Sequence, residues 1–417
     1  MTSTAEYDVV IVGASIAGCT AATLFGRQGL SVALLDRAPD PGAYKKICTH
    51  FIQPSANATL NRLGLEEAIR EKGAVRNRVE AWTRFGWIPW LEGEDAGYNL
   101  RREVLDPMLR ELASSTKGVT LLLGHDVKQV TEEAGRIAGV VSRTKDGEDH
   151  PMRGRLVVAA DGRHGKLGDL AGVPATTSPH GRFFYYAYYE GLELPSGTGS
   201  MLWFNDPDVA YCFPNDDNKT IVAVMPSKDK LPRFREDVEA SVLAMFDALP
   251  CAPQVRKARR VSDFLGMLEM PNHVRPASAR GMAFAGDAAL TSDPIFGIGC
   301  GWALQSAEWL ADIVGPALCK RDGVDAALTK YRQHHADRLH EHHEMISSLS
   351  SGRLLNAFER LLFNACARDE TMARAFQSVS GRFKKPKEAL GPALLLRMLW
   401  VNLTKKPLRA QGPHLHA

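Results

Sequence analysis

Val9-Val10-Ile11-Val12-Gly13-Ala14-Ser15-Ile16-Ala17-Gly18 is the stretch whose reading decides the fold. The apolar run from Tyr7 to Val12 predicts a parallel strand covered on both faces. A glycine turn follows, then a helix from Ser15 to Gln28, then a second strand, Ser31 to Leu35, ending at Asp36. That is a strand–helix–strand unit. Gly13 permits the tight turn, and Gly18 lets the helix pack close to the sheet. The helix N-terminus offers amide N–H groups and partial positive charge to a pyrophosphate. Asp36 stands where an acid accepts hydrogen bonds from a ribose. The usual middle glycine is Ser15 here, a small residue whose hydroxyl can itself bond a phosphate. Ile16, Ala17 and Arg37 complete the nucleotide end.

A second motif lies far downstream. Gly281 to Ala285 reads as a short buried strand, with Gly286-Asp287-Ala288-Ala289 at its end. A carboxylate at Asp287 can hold a sugar-alcohol chain by hydrogen bonds. Pro294-Ile295-Phe296-Gly297-Ile298-Gly299-Cys300-Gly301 then leads into a helix running to about Val314. Alternating glycines let backbone amides approach a flat ligand closely. The helix aims its positive end at that ligand, which stabilises the charge of a reduced flavin. The two motifs together narrow the dinucleotide to FAD.

With these residues in place the chain resembles the FAD-dependent aromatic hydroxylase (class A flavoprotein monooxygenase) superfamily. The resemblance implies that Asp287, after Gly286, binds the ribityl chain, and that Pro294, Gly297, Ile298 and Gly299 lie along the isoalloxazine. Leu100 to Asp106 looks like the family's Arg-x-x-x-Asp helix start, which implies an FAD contact for Arg102. Leu156 to Gly162 looks like its strand ending in Asp-Gly, which brings in Asp161. The family continues that motif with Ser and Arg, where this chain has Gly165 and Gly168. No second glycine fingerprint opens a second nucleotide unit. The resemblance implies that NAD(P)H visits the flavin transiently; otherwise a separate flavin reductase supplies electrons.

The loop Tyr44 to Pro54 runs beside the flavin in this superfamily and then enters a helix, Ser55 to Leu63. His50 has two readings: a general base for a phenol, which makes it the catalytic candidate, or a hydrogen-bonding residue that positions the loop. Cys48 reads as buried and inert rather than as reacting with flavin or being redox active, and Lys45 and Lys46 read as surface charges unless one of them points into the tunnel. The loop is also similar to that of geranylgeranyl reductases, which carry a Cys near this point and a Pro at its end. The Gly286 to Gly297 segment looks like those reductases and like flavin halogenases. Trp87-Ile88-Pro89 only partly matches the halogenase Trp-x-Trp-x-Ile-Pro motif and lies too early, so halogenation is not claimed and stays a lesser alternative.

The expected fold is α/β: an FAD-binding Rossmann-like domain with an inserted β-sheet substrate domain and C-terminal helices. The FAD-binding domain takes 1–80, 99–175 and 276–330. The substrate domain takes 81–98 and 176–275, and the helical region 331–417. Arg182 to Glu190 carries six aromatic residues. On a strand half of them face one side, so one set packs the sheet and the other faces an apolar pocket over the flavin. Further strands are expected at Met201 to Phe204, Ala210 to Phe213 and Thr220 to Met225. Residues 80–98 cap the same pocket. His334, His335, His340, His342 and His343 read as a solvated helix face rather than a metal site, and no metal is expected. Pro392 to Leu403, followed by Lys405, Lys406 and Arg409, reads as a helix packed on the body rather than one touching lipid.

Bulk composition is ordinary for a soluble globular protein. Fifty-one Lys and Arg stand against 48 Asp and Glu, a net charge of +3, too balanced to argue for nucleic acid or an anionic membrane. Seven scattered cysteines without a Cys-x-x-Cys pair read as reduced and cytoplasmic. The expected partner is an apolar small molecule, with the chain a monomer or homodimer. The leading expectation is a monooxygenase that uses NAD(P)H and O2 to hydroxylate or epoxidise an apolar, aromatic or polyketide-like compound through a flavin C4a-hydroperoxide. The alternatives are a prenyl-chain reductase, then a flavin halogenase or a non-catalytic lipid carrier.

Overall fold

The strand at Ala5–Val12 forms where the apolar run ends against Gly13, and it lies inside the main sheet. The computed structural model describes residues 4–408; Arg409 and the rest of the tail lie outside them. Ala5–Val12 pairs in parallel with Asp149–Ala159 on one side and Val32–Asp36 on the other. Val119–Leu123 extends the sheet beyond Val32–Asp36, and Met282–Phe284 extends it beyond Asp149–Ala159, both in parallel. The strand order is therefore built outward to both sides of Ala5–Val12, with these strands all parallel. Such a switch in strand order leaves a crevice at the strands' carboxyl ends. The helices Ile16–Arg27 and Ile298–Lys320 pack on each other over one face, sharing a core with Arg102–Ser115.

A second sheet holds the inserted strands. Its order is Arg259–Arg260, Phe184–Glu190, Thr220–Met225, Asp208–Pro214, Ser200–Asn205, Val79–Thr83 and Gly86–Ile88. Ser200–Asn205 pairs in parallel with Val79–Thr83, so the 80–98 excursion joins this sheet. Alternation along Phe184–Glu190 splits its aromatics as expected. The rings of Phe183 and Tyr185 meet Phe234 at 5.1 and 6.0 Å, and Tyr189 joins the same core with Phe246. Phe184, Tyr186 and Tyr188 point the other way, toward the 44–52 loop and the crevice. The Tyr186 hydroxyl donates to the Lys46 carbonyl, and Tyr188 is hydrogen-bonded to His50.

The C-terminal region is helical from Val324–Leu349 to Pro392–Thr404. The histidines depart from expectation: His335, His342 and His343 are buried, not solvated. Their helix packs against Ile298–Lys320 and under the flavin loop, where His343 Nε2 bonds the Thr291 carbonyl at 3.1 Å. His342 Nε2 bonds the Val379 carbonyl at 3.2 Å. A polar residue with its hydrogen bond made can enter a core at little cost. Pro392–Thr404 packs one face on the body through Met398 and Val401, while Leu396, Leu399, Trp400 and Leu403 remain exposed. Among the described residues no helix is long and apolar enough to cross a membrane.

Candidate functional site: a dinucleotide cleft and an apolar cavity

Above the carboxyl ends of the central strands lies a cleft of about 490 Å³. It begins at Gly13, Ser15, Ile16 and Ala17 and passes Asp36 and Arg37. It then runs by Arg102 and Asp161 to Asp287, Pro294, Ile298 and Gly299. Twelve of the sequence-derived cofactor residues therefore line one continuous groove.

Three others act behind it. Gly18 has no room for a side chain, since a Cβ there would stand 1.7 Å from the Gly13 carbonyl oxygen. Gly286 sits at φ +59° with its amide on Ser306 Oγ. Gly297, at φ +61°, packs on the Phe51 ring, which a Cβ would meet at 2.4 Å. Gly297 thus serves protein packing rather than ligand approach.

Two carboxylates at the nucleotide end hold backbone. Asp36 accepts from the amides of Ala14 at 2.7 Å and Ala38 at 2.8 Å, which shapes the turn around the pyrophosphate position. Asp161 accepts from the Leu167 amide at 2.9 Å. Burial raises its carboxyl above the ordinary value despite that bond. Asp161 also explains Gly165, where a Cβ would fall 2.1 Å from its carboxylate carbon. At Gly168 a Cβ would strike the Arg275 guanidinium, 2.3 Å away. Arg275 fills that space and binds the carbonyls of Val173 and Ala288 at 2.5 and 2.8 Å. The guanidinium missing from position 168 thus arrives from a distant strand connection.

Arg102 is buried and fixed. Its Nε and Nη2 bind Asp106 at 2.7 and 2.9 Å, and Nη2 also reaches Ser15 Oγ at 2.6 Å. Arg110 was not foreseen. It lines the cleft and ties the Ala14 carbonyl to the Pro41 carbonyl at 2.9 and 2.7 Å. Lys45 is not a free surface charge: its Nζ meets Asp287 Oδ2 at 2.7 Å. Burial works to raise the Asp287 carboxyl, but Lys45 and Arg163 outweigh it and hold it below its usual range.

The flavin loop rests on a buried ionic cluster that sequence reading missed. Asp293 is fully buried and meets His180 Nε2 at 2.6 Å and Arg182 Nη2 at 3.1 Å. Its other oxygen accepts from the Ile295 amide at 2.8 Å. Against the cost of burial the Arg182 guanidinium, helped by the His180 hydrogen bond, holds its carboxyl at about 2. Only the aspartate beside Pro294 is visible in sequence; its partners lie more than a hundred residues earlier.

His50 lines neither cavity. It is buried at φ +59°, and Nδ1 accepts from the Arg102 backbone N–H at 3.1 Å. The proton of the neutral ring then sits on Nε2, toward the Tyr188 hydroxyl. Both nitrogens are taken by protein, so the geometry makes His50 a positioning residue for the loop and the Arg102 helix. It does not face a substrate as a base would.

A second cavity, of about 70 Å³, opens behind the wall made by residues 48–51 and 294–296. Pro294 faces the cleft, whereas Ile295 and Phe296 face this cavity. Ile88, Trp90, Leu202, Phe213 and Phe376 add an apolar lining. A run of ring contacts joins the two spaces: Phe184 in the cleft stacks on Tyr211 at 6.2 Å, Tyr211 stacks on Phe213 at 4.5 Å, and Phe213 meets the tilted ring of Phe51 at 5.4 Å.

The groove fits FAD on its own geometry. At Gly299 a Cβ would meet no protein atom nearer than Asp287 Oδ1 at 4.0 Å, so space reserved for a ligand, not protein packing, suits glycine there. Two helices of 12 and 23 residues begin at the groove's two ends. The comparisons agree. The FAD binding domain family matches residues 6–343. Squalene epoxidase 3 of Arabidopsis thaliana is 27% identical over 327 residues, 75% of this chain and 60% of the plant protein. The chain thus spans only part of that relative's length. Digeranylgeranylglycerophospholipid reductase 1 of Methanococcoides burtonii is 24% identical over 348 residues, 79% of each chain. Among solved structures the flavin-dependent brominase Bmp2 superposes with a TM-score of 0.79 at 19% identity, over 95% of this chain and 98% of its own. The glycine turn, the late Gly-Asp and the matched length converge: this chain belongs to the FAD binding domain family, and FAD is its cofactor.

Proposed function

We propose that the protein is an FAD-dependent monooxygenase that uses NAD(P)H and O2 to hydroxylate or epoxidise an apolar small molecule. The observation that carries this reading is the apolar cavity set behind the thin Phe51 and Phe296 wall of the flavin cleft. Bound FAD supplies the two-electron and oxygen chemistry. The chain supplies the rest. Arg102, Asp287 and the helix start at Ile298–Gly299 hold and orient the cofactor. The Asp293–Arg182–His180 cluster fixes the loop that forms the wall. Phe51, Phe213, Phe296 and Phe376 exclude water and give the space an apolar lining suited to a carbon-rich group. Likeness to a plant squalene epoxidase supports oxygen insertion into such a molecule.

A second reading, reduction of a prenyl-chain double bond, is favoured by likeness over 79% of both chains to an archaeal lipid reductase. One experiment separates them. The holoprotein is turned over with NAD(P)H, or with a flavin reductase, under labelled O2 with polyprenyl and aromatic substrates. One labelled oxygen in the product supports the monooxygenase. A product heavier by two hydrogens and free of label overturns it in favour of the reductase.

A further inference from the structure

Cys48 and Cys300 stand 252 positions apart in sequence, yet their sulfurs lie 3.8 Å from each other in the flavin cleft. Cys48 sits on the 44–52 loop, and Cys300 is the third residue of the helix Ile298–Lys320. Both line the cleft, so a small solute that enters it reaches them. The surroundings favour charge on one sulfur. The two thiols share a hydrogen bond in which either sulfur can donate, but the His50 amide points at Cys48 Sγ from 3.3 Å and Arg102 Nη1 lies 3.9 Å from it, which favours the charge on Cys48. These contacts draw the Cys48 thiol well below its usual range, and the same shared hydrogen bond keeps the proton on Cys300. One nucleophilic sulfur beside one protonated sulfur is the arrangement of an attacking and a resolving cysteine.

We propose that Cys48 and Cys300 are a peroxide-responsive dithiol that closes to a reversible disulfide inside the cofactor cleft and weakens FAD binding. The oxidant is hydrogen peroxide or an organic hydroperoxide. The Cys48 thiolate attacks the peroxide, an S–O bond forms, the O–O bond breaks, and the leaving oxygen takes a proton from solvent and departs as water or an alcohol. The sulfur of Cys300 then loses its proton and attacks Cys48. An S–S bond forms, the S–O bond breaks, and a second water leaves. Two thiols and one peroxide give one disulfide, and the electron pair passes from the sulfurs to oxygen. Closure to a sulfur–sulfur bond of about 2.05 Å draws the 44–52 loop toward the flavin helix. That loop carries Lys45, the partner of Asp287, so cofactor contacts move with it. The effect on FAD rests on the cofactor assignment above; the thiol chemistry does not.

The test uses the full chain, with FAD bound and with FAD removed. Stoichiometric hydrogen peroxide is added, free thiols are alkylated, and peptides are weighed. The expected result is a Cys48–Cys300 cross-linked peptide that dithiothreitol releases. In Cys300→Ser the product is instead a Cys48 sulfenic acid trapped by dimedone. Cys48→Ser leaves Cys300 unreacted. Both thiols still alkylated in the wild type, or the same product and rate in Cys300→Ser as in wild type, overturns the pair. Coupling to the cofactor is read separately. If the disulfide weakens FAD about tenfold, reciprocity requires FAD to favour the dithiol equally. The disulfide's potential then rises by about 30 mV when FAD is bound. An unchanged potential overturns the link to the cofactor and leaves the cleft's FAD assignment standing.

Discussion

Ser15 Oγ accepts a 2.6 Å hydrogen bond from Arg102 Nη2, so the first glycine turn is tied to a helix 87 residues further along. The residue that breaks the usual glycine pattern is thereby accounted for. Its hydroxyl is one of the acceptors around a buried guanidinium that also meets Asp106 and Cys48 Sγ.

Ser15→Ala should free one arm of Arg102 without opening a cavity of note. A hydrogen bond to a charged group is worth about 1.5–3 kcal/mol, so FAD affinity should fall by at least about tenfold. Fluorescence titration of the FAD-free protein measures it. Unchanged affinity would show that Asp106 alone orients the guanidinium.

Gly299→Leu separates folding from loading. A new Cβ meets no protein atom nearer than Asp287 Oδ1 at 4.0 Å, and leucine favours a helix over glycine by roughly 1 kcal/mol. The FAD-free variant should melt at or above the wild-type temperature yet purify colourless. A yellow, FAD-replete Gly299→Leu protein would remove the flavin from this end of the groove.

Acid should weaken the fold through three histidines. Burial holds His335 at about 3 and His342 and His343 at about 4, below their value in an unfolded chain near 6.5. Between those limits the unfolded state binds more protons, so stability rises with pH and is lost on acidification from about pH 6.5 to 4. Each histidine contributes up to about 1.4 kcal/mol per pH unit. Urea midpoints measured across this range should flatten in His343→Gln, which retains a donor for the Thr291 carbonyl.

Tyr211 is a buried member of the ring ladder whose hydroxyl finds no hydrogen-bond partner among the described residues. Removing an unsatisfied buried hydroxyl should relieve about 1–3 kcal/mol. Tyr211→Phe should therefore raise the melting temperature of the FAD-free protein. A drop would mean that the hydroxyl is satisfied in solution.

Legibility followed chain distance. The strand, turn and helix around Gly13 were readable because each residue's role is set by close neighbours, and the late Gly286-Asp287 pair was readable for the same reason. Gly165 and Gly168 looked like losses until Asp161 and Arg275 were seen in the space that side chains there would occupy. Nothing near position 168 announces a guanidinium that comes from position 275. Asp293 likewise hides its partners, because a buried ion pair leaves no periodic trace at either end. The histidines misled for a different reason. A polar stripe reads as solvated unless the carbonyls that will receive it, here those of Thr291 and Val379, are already known. His50 had two readings, and its ring nitrogens are spent on Arg102 and Tyr188.

The ion pair between Lys45 and Asp287 bears on how the protein matures. The carboxylate assigned to the cofactor already has a tenant, so loading is an exchange rather than an insertion. An arriving sugar chain competes with an ammonium for Oδ2 of that carboxylate, and eviction of the ammonium frees the oxygen. Dissolved salt, by screening that contact, would hasten the eviction even as it loosens the pyrophosphate's own grip. The tempo of assembly and the tightness of the finished holoprotein would then answer to ionic strength in opposite directions.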